Sequence, residues 1–163
     1  MKKILFLDMD GVLADFNGGL GDNLSNMFKT GFFRNLPVLE EGLNETIQQL
    51  QNQGFLVKIL SKAPTKKSHK NFVNQMVDKA NWVKEFIPCI DELDIIIQAT
   101  DESKGEVLKY YPQDECYLVD DYTPNLATWA FAGGKCIKLA KRIKNTREFK
   151  QILSLSELAQ EGI

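Results

Sequence analysis

The chain has 163 residues, 44% of them hydrophobic and 26% charged, which is enough apolar material for one sizeable core. Its 20 Lys and Arg against 22 Asp and Glu give a net charge of −2, so no bulk basic excess points to a nucleic-acid polymer as partner. No apolar run approaches the ~20 residues that span a bilayer, and the two N-terminal lysines precede only a short apolar run broken by Asp8. The expectation is therefore a protein with neither membrane span nor signal peptide. Cys89, Cys116 and Cys136 are widely spaced, odd in number and set among apolar residues, which reads as free thiols in a reducing cytoplasm.

The chain opens with Ile4-Leu5-Phe6-Leu7, an apolar run of strand length that ends in Asp8-Met9-Asp10-Gly11. A continuous apolar run predicts a strand buried on both faces, and its carboxylates then stand at the carboxyl edge of a parallel sheet. Two such carboxylates repel unless a cation lies between them, and oxygen ligands of this kind suit Mg2+. Residues 17–36 follow as an insert. It starts with the glycines of Asn17-Gly18-Gly19-Leu20-Gly21, continues with Leu24, Met27 and Phe28 at helical spacing, and ends with Phe32-Phe33-Arg34 before Pro37. The pattern predicts a small helical cap hinged at Gly18 to Gly21, with residues 1–16 and 37–163 as the core.

Leu43, Ile47 and Leu50 predict a helix over 40–53, stopped by Gly54, and residues 55–60 predict a second strand. That strand ends in Ser61-Lys62-Ala63-Pro64, a hydroxyl beside a cation. Residues 65–86 predict a long helix with Phe72, Met76, Val77, Val83 and Phe86 facing inward. Its polar face carries Lys66, Lys67 and Lys70, and places the single histidine, His69, in solvent. Residues 94–99 predict a third buried strand, followed by Thr100 to Gly105 with Lys104 and a short helix through Tyr111. Residues 115–119 predict a fourth strand, ending in Asp120-Asp121. Thr123 and Pro124 then read as the cap and first position of a helix whose apolar face holds Leu126 and Trp129. A fifth strand is predicted over 135–139. The basic residues 141–150 and the Leu153, Leu155, Leu158 stripe complete the pattern as a loop and a terminal helix. Strands alternating with helices predict an α/β fold, a doubly wound parallel sheet.

Four strand ends thus bring polar groups to one edge: Asp8 with Asp10, Ser61, the Lys104 segment, and Asp120 with Asp121. Together they predict a phosphate and Mg2+ site. Asp8-Met9-Asp10-Gly11-Val12-Leu13 resembles the first signature of the haloacid dehalogenase-like (HAD) phosphatases. The resemblance implies a Rossmann-like core in which Asp8 attacks phosphorus and Asp10 is the general acid/base, holding a proton for the leaving group. It further implies that Ser61, with Lys62 beside it, and Lys104 bind the phosphate. Lys109 is a nearby competitor for the Lys104 role. Asp8, Asp10, Asp120 and Asp121 are implied as the Mg2+ site.

A closer resemblance rests on residues 8–16, Gly31-Phe32-Phe33-Arg34 and Lys79-Ala80-Asn81-Trp82-Val83, which are similar to the 5'(3')-deoxyribonucleotidases. It implies a cytoplasmic hydrolase that removes phosphate from nucleoside monophosphates. Phe16 would pack on the base, and Phe32 and Phe33 would line the same pocket from the cap. The chain departs from that family at Ser61-Lys62-Ala63-Pro64, where a more compact Thr-Ser-Pro-like turn is expected, and in a longer Lys104 to Asp120 spacing. Two alternatives share these residues: a phosphatase for another small ester such as a sugar phosphate, and a receiver-like phospho-switch without turnover. The first would differ only in the cap. The second needs neither a second Asp two residues on nor an insert. Homodimerisation is left open.

Overall fold

A computed structural model describes residues 1–144 and 148–163. Among the described residues, six strands form one sheet in the order β3-β2-β1-β4-β5-β6, and every neighbouring pair is parallel. They are β1 (Lys3–Leu7), β2 (Phe55–Lys62), β3 (Ile95–Gln98), β4 (Glu115–Asp120), β5 (Lys135–Leu139) and β6 (Lys150–Ile152). The helices are α1 (Phe16–Leu20), α2 (Leu43–Asn52), α3 (Phe72–Phe86), α4 (Thr123–Phe131) and α5 (Leu155–Glu161). This is the doubly wound architecture that the alternating pattern predicts.

The sheet's two faces explain the strand sequences. Successive side chains of a strand alternate between faces. Leu5 and Leu7 of β1 join Val57, Ile59 and Val119 in one core layer, covered by α2, α3 and α5 through Ile47, Trp82, Val83 and Leu158. Ile4 and Phe6 join Leu60, Leu118, Leu126 and Trp129 in the other, covered by α4 and a 3₁₀ segment at Lys104–Tyr110. β1 is central, and from it the chain winds outward through β2 and β3, then returns to the other side of β1 through β4, β5 and β6. The carboxyl edge between β1 and β4 is therefore the topological switch point, where open sheets hold their ligands.

Several element boundaries differ from expectation. The helix over 65–86 begins only at Phe72, because residues 66–70 form turns ahead of it. Lys66, Lys67 and Lys70 are consequently exposed loop residues rather than a helix face, and His69 is exposed beside them. Val77 is 45% exposed rather than inward, while Lys79 and Trp82 face the core. β3 is an edge strand whose isoleucines are half-buried, so it is not the fully buried strand expected. Thr123 is the first residue of α4, Tyr122 is its cap, and no side chain caps that helix. The strand β6 went unread because only three residues of it pair, inside a polar stretch. Leu153 is 52% exposed and lies outside α5. The loop expected over 141–150 lies partly outside the described residues, at 145–147.

The residues between β1 and α2 form α1, a 3₁₀ turn at Leu24–Phe28 and further turns. They leave and rejoin at a narrow stem: Asp15 N–H donates to the Pro37 carbonyl at 2.8 Å, and Leu39 N–H to the Leu13 carbonyl at 2.8 Å. Gly18 and Gly19 belong to α1 itself, while Gly21 caps it with positive φ. Phe33 and Leu36 are buried in the main core, and Trp82 of α3 donates its indole N–H to the Leu36 carbonyl at 2.8 Å. Leu24 and Phe28 of the expected stripe stay largely exposed.

Candidate active site

The site forms where β1, β2 and β4 end. β1 stops because Asp8 and Asp10 cannot continue a buried apolar strand, and Gly11 turns the chain with φ of +82°. A Cβ at Gly11 would lie 2.2 Å from an Asp121 carboxylate oxygen, so glycine is required both by conformation and by the approach of β1's turn to β4's end. Met9 N–H donates to Asp8 Oδ1 at 2.9 Å, which fixes the carboxylate against its own turn.

Asp8, Asp120 and Asp121 converge: one carboxylate oxygen from each lies within 4.8 Å of the others. Lys104, only 1% exposed, stands against them with Nζ 2.9 Å from Asp8 Oδ1 and 2.7 Å from Asp120 Oδ2. The 3₁₀ segment delivers it from across the sheet edge. Gly105 makes that approach possible, since a Cβ there would meet the Thr128 carbonyl of α4 at 2.5 Å. Lys109 is exposed and lies over the Tyr110 ring, so Lys104 is the lysine in the cluster. Asp120 is held further by Tyr122 N–H at 2.9 Å and Asn125 Nδ2 at 3.1 Å.

One ammonium does not neutralise three clustered acids. Burial first, and the charge of Asp120 second, hold the Asp8 carboxyl well above the usual carboxylate range, against the pull of Lys104. Burial and Asp120 likewise push Asp121 up to about 6. Burial works against the Lys104 ammonium, but Asp8 and Asp120 outweigh it and hold its pKa above the ordinary lysine value. A hard divalent cation among these oxygens would remove the repulsion, and an all-oxygen donor set fits Mg2+.

Asp10, expected among the ligands, is near enough for its charge to raise Asp8 and Asp121 but is not one of the three converging carboxylates. Its Oδ2 takes a 2.5 Å ion pair from Lys79 of α3, and its Oδ1 is buried without a hydrogen-bond partner among the described residues. Lys79 is fully buried, also donates to Ser61 Oγ at 3.0 Å, and sits 4.3 Å above the Phe33 ring. Strand-end spacing does not single Lys79 out, since it lies in mid-helix. The signal was present: Lys79 lies seven residues after Phe72 and three before Trp82, on the apolar stripe of its helix. A charged residue at an inward helical position needs a buried partner. Because Lys79 donates to Ser61 Oγ, the hydroxyl proton of the fully buried Ser61 is left to point elsewhere.

A cavity of about 300 Å³ opens over these groups, lined by Asp8, Asp10, Phe16, Lys62, Lys104 and Asp121, with Asn17, Tyr122 and Asn125 at its rim. Burial, then the charge of Lys104, lowers the Lys62 pKa. Phe16 thus reaches the cavity. Phe32 packs edge-on against Phe16 with ring centroids 5.8 Å apart and does not line the cavity. Phe33 is 2% exposed beneath both, where it supports Lys79 rather than facing a ligand.

No protein-family model and no curated protein matches the sequence. Solved structures do match in fold. A D,D-heptose 1,7-bisphosphate phosphatase from B. bronchiseptica, complexed with magnesium and phosphate, is 16% identical with a TM-score of 0.63, covering 99% of this chain and 97% of that one. A dehalogenase is 12% identical with a TM-score of 0.64, over 98% and 96% of the two chains. A putative haloacid dehalogenase-like hydrolase from Bacteroides fragilis is 16% identical with a TM-score of 0.62, over 97% and 100%. The chain has the α/β fold of the haloacid dehalogenase-like hydrolases.

Proposed function

We propose that the protein is a Mg2+-dependent phosphomonoesterase that works through an aspartyl phosphate on Asp8, and that its substrates are nucleoside monophosphates of the deoxyribonucleotidase kind. The observation that carries the reading is the pair of separate carboxylate environments: Asp8 in an acidic trio with Lys104, and Asp10 turned away to Lys79. Two acids two residues apart then have two roles. Mg2+ held by Asp8, Asp120 and Asp121 would supply charge neutralisation for the phosphoryl oxygens.

Lys104 and Met9 N–H hold Asp8 Oδ1, which leaves Oδ2 to attack phosphorus. The P–O bond to the leaving group breaks as the Oδ2–P bond forms. Asp10 gives a proton carried on Oδ1, the oxygen that Lys79 leaves without a partner, to the leaving alkoxide, then accepts one from the water that cleaves the Oδ2–P bond of the aspartyl phosphate. Lys104, the Ser61 hydroxyl and Lys62 bind the phosphoryl oxygens. Residues 17–36 act as the cap, with the base against Phe16, a contact worth about 1–3 kcal/mol. The neighbouring dehalogenases leave open the displacement of halide by Asp8, but that reaction has no use for an acidic trio gathered at the same point.

The test is phosphate release from 5'- and 3'-monophosphates of deoxy- and ribonucleosides and from sugar phosphates, with Mg2+ or EDTA, beside halide release from 2-haloacids. Mg2+-dependent release strongest with deoxynucleotides is expected, abolished in Asp8→Asn and severely reduced in Asp10→Asn. Release from sugar phosphates alone would discard the nucleotide assignment. Halide release without phosphate release would discard the phosphatase.

A further inference from the structure

A second and larger cavity opens at the carboxyl end of β5, beside the residues that lead into β6. It measures about 620 Å³, against about 300 Å³ for the cavity over Asp8, and the two share Asp121 as a common wall. Among the described residues its lining is basic: Lys138, Lys141, Arg142 and Lys144, against Asp121 and Glu148 as carboxylates. In a chain of net charge −2 this is a local reversal of sign.

The cations divide into two kinds. Lys138 is structural, with its ammonium tied to the Asp121 carbonyl at 3.1 Å and to Thr123 Oγ1 at 2.5 Å. Lys141, Arg142 and Lys144 are exposed, and among the described residues none has a carboxylate within ion-pair reach. They are nonetheless placed. The Gln151 side chain of β6 both accepts from Lys144 N–H and donates to its carbonyl, each at 3.0 Å, which pins the basic arm to the sheet. Leu139, Ala140 and Phe149 give the cavity apolar walls, and low-dielectric walls strengthen the field of the cations beside them.

We infer that this cavity is an anion subsite of the same active site, so that favoured phosphomonoesters carry a second phosphoryl group beyond the scissile one; the inference rests on the phosphatase reading. Arginine and lysine together match a phosphoryl dianion, the arginine by its paired N–H fork. Because Asp121 lines both cavities, an anion in the larger one stands one side chain away from the cavity over Asp8. Two phosphates on one molecule then bind with the advantage of high effective concentration.

The experiment compares kcat/KM for a deoxynucleoside 3',5'-bisphosphate with the 5'-monophosphate, and for fructose 1,6-bisphosphate with fructose 6-phosphate. Wild type and the Lys141→Ala/Arg142→Ala double variant are assayed at low and high salt, with thermal melts to confirm folding. The expected result is a preference of about tenfold for the bisphosphates, expressed in KM, that falls toward one in the double variant and at high salt. No preference in wild type, or an equal preference in both proteins, overturns the inference. Calorimetric titration of inorganic phosphate in EDTA gives a second arm. Binding lost in the double variant without any bisphosphate preference would assign the cavity to a free anion and overturn the substrate subsite. If wild type turns over no ester, the phosphatase reading falls, and the titration alone decides whether the cavity takes an anion.

Discussion

Lys79 shows how much can hang on one side chain. It ties the Asp10 carboxylate to the Ser61 hydroxyl from a position with no solvent contact. Lys79→Met keeps the length and removes the charge. It should lower kcat at least about 100-fold with a smaller change in KM, because Asp10 loses its orientation rather than the substrate its grip. A stopped or steady-state assay that found only KM changed would make Lys79 a phosphate ligand instead. The thiols are the contrasting case. Burial pushes Cys116 and Cys136 up to about 11, so at pH 8 only about one thiol in a thousand is ionised. Both should resist iodoacetamide at pH 8 in the folded protein, react some tenfold faster per pH unit up to about 11, and label fully after denaturation. Mass spectrometry of the alkylated peptides checks this. Asp8, Asp120 and Lys104 were legible as residues because each follows a strand. Lys79 shows in the sequence only as a charge on an apolar stripe, and its partner, 69 residues away, is set by the tertiary fold.

Among the elements, the 3₁₀ segment at Lys104–Tyr110 has the least independent stability and the most exacting task, since it must present Lys104 to two carboxylates. Its seat on α4 depends on Gly105. Gly105→Val should push the segment off the Thr128 carbonyl, cost about 1–3 kcal/mol in stability, and reduce turnover beyond what that loss explains. Denaturant melts paired with kinetics separate the two effects, and an unchanged rate in a destabilised protein would show that Lys104 still reaches the site. The buried strands β1, β2 and β4 could be read from their apolar runs, as could α2 and α5 from their stripes. The start of α3 could not: Lys66, Lys67, His69 and Lys70 suit a helix by propensity, and only the turns after Thr65 break it. The aromatic cluster misled for a related reason. Phe33 looks like a pocket residue in sequence, but the insert turns it under Phe16, where it serves as a floor for Lys79.

For the molecule as a whole, the three clustered carboxylates are a standing electrostatic cost that a bound cation should relieve. Mg2+ at about 100 times its dissociation constant should raise stability by about 2.7 kcal/mol, seen as a higher melting temperature that EDTA reverses. Asp120→Asn should blunt the response. A melting curve indifferent to Mg2+ and EDTA would count against metal binding at this trio. The sheet order carries one more consequence. β1 pairs on one side with β4, so that Lys2 N–H reaches Asp114, 112 residues further along the chain. β1 must therefore wait for β4, 112 residues further along, before its second edge is covered and the acids can meet. Non-local parallel pairing of this kind slows folding. Emergence from the ribosome should thus leave β1 and its aspartates inactive until β4 docks, and competence should arrive late and all at once.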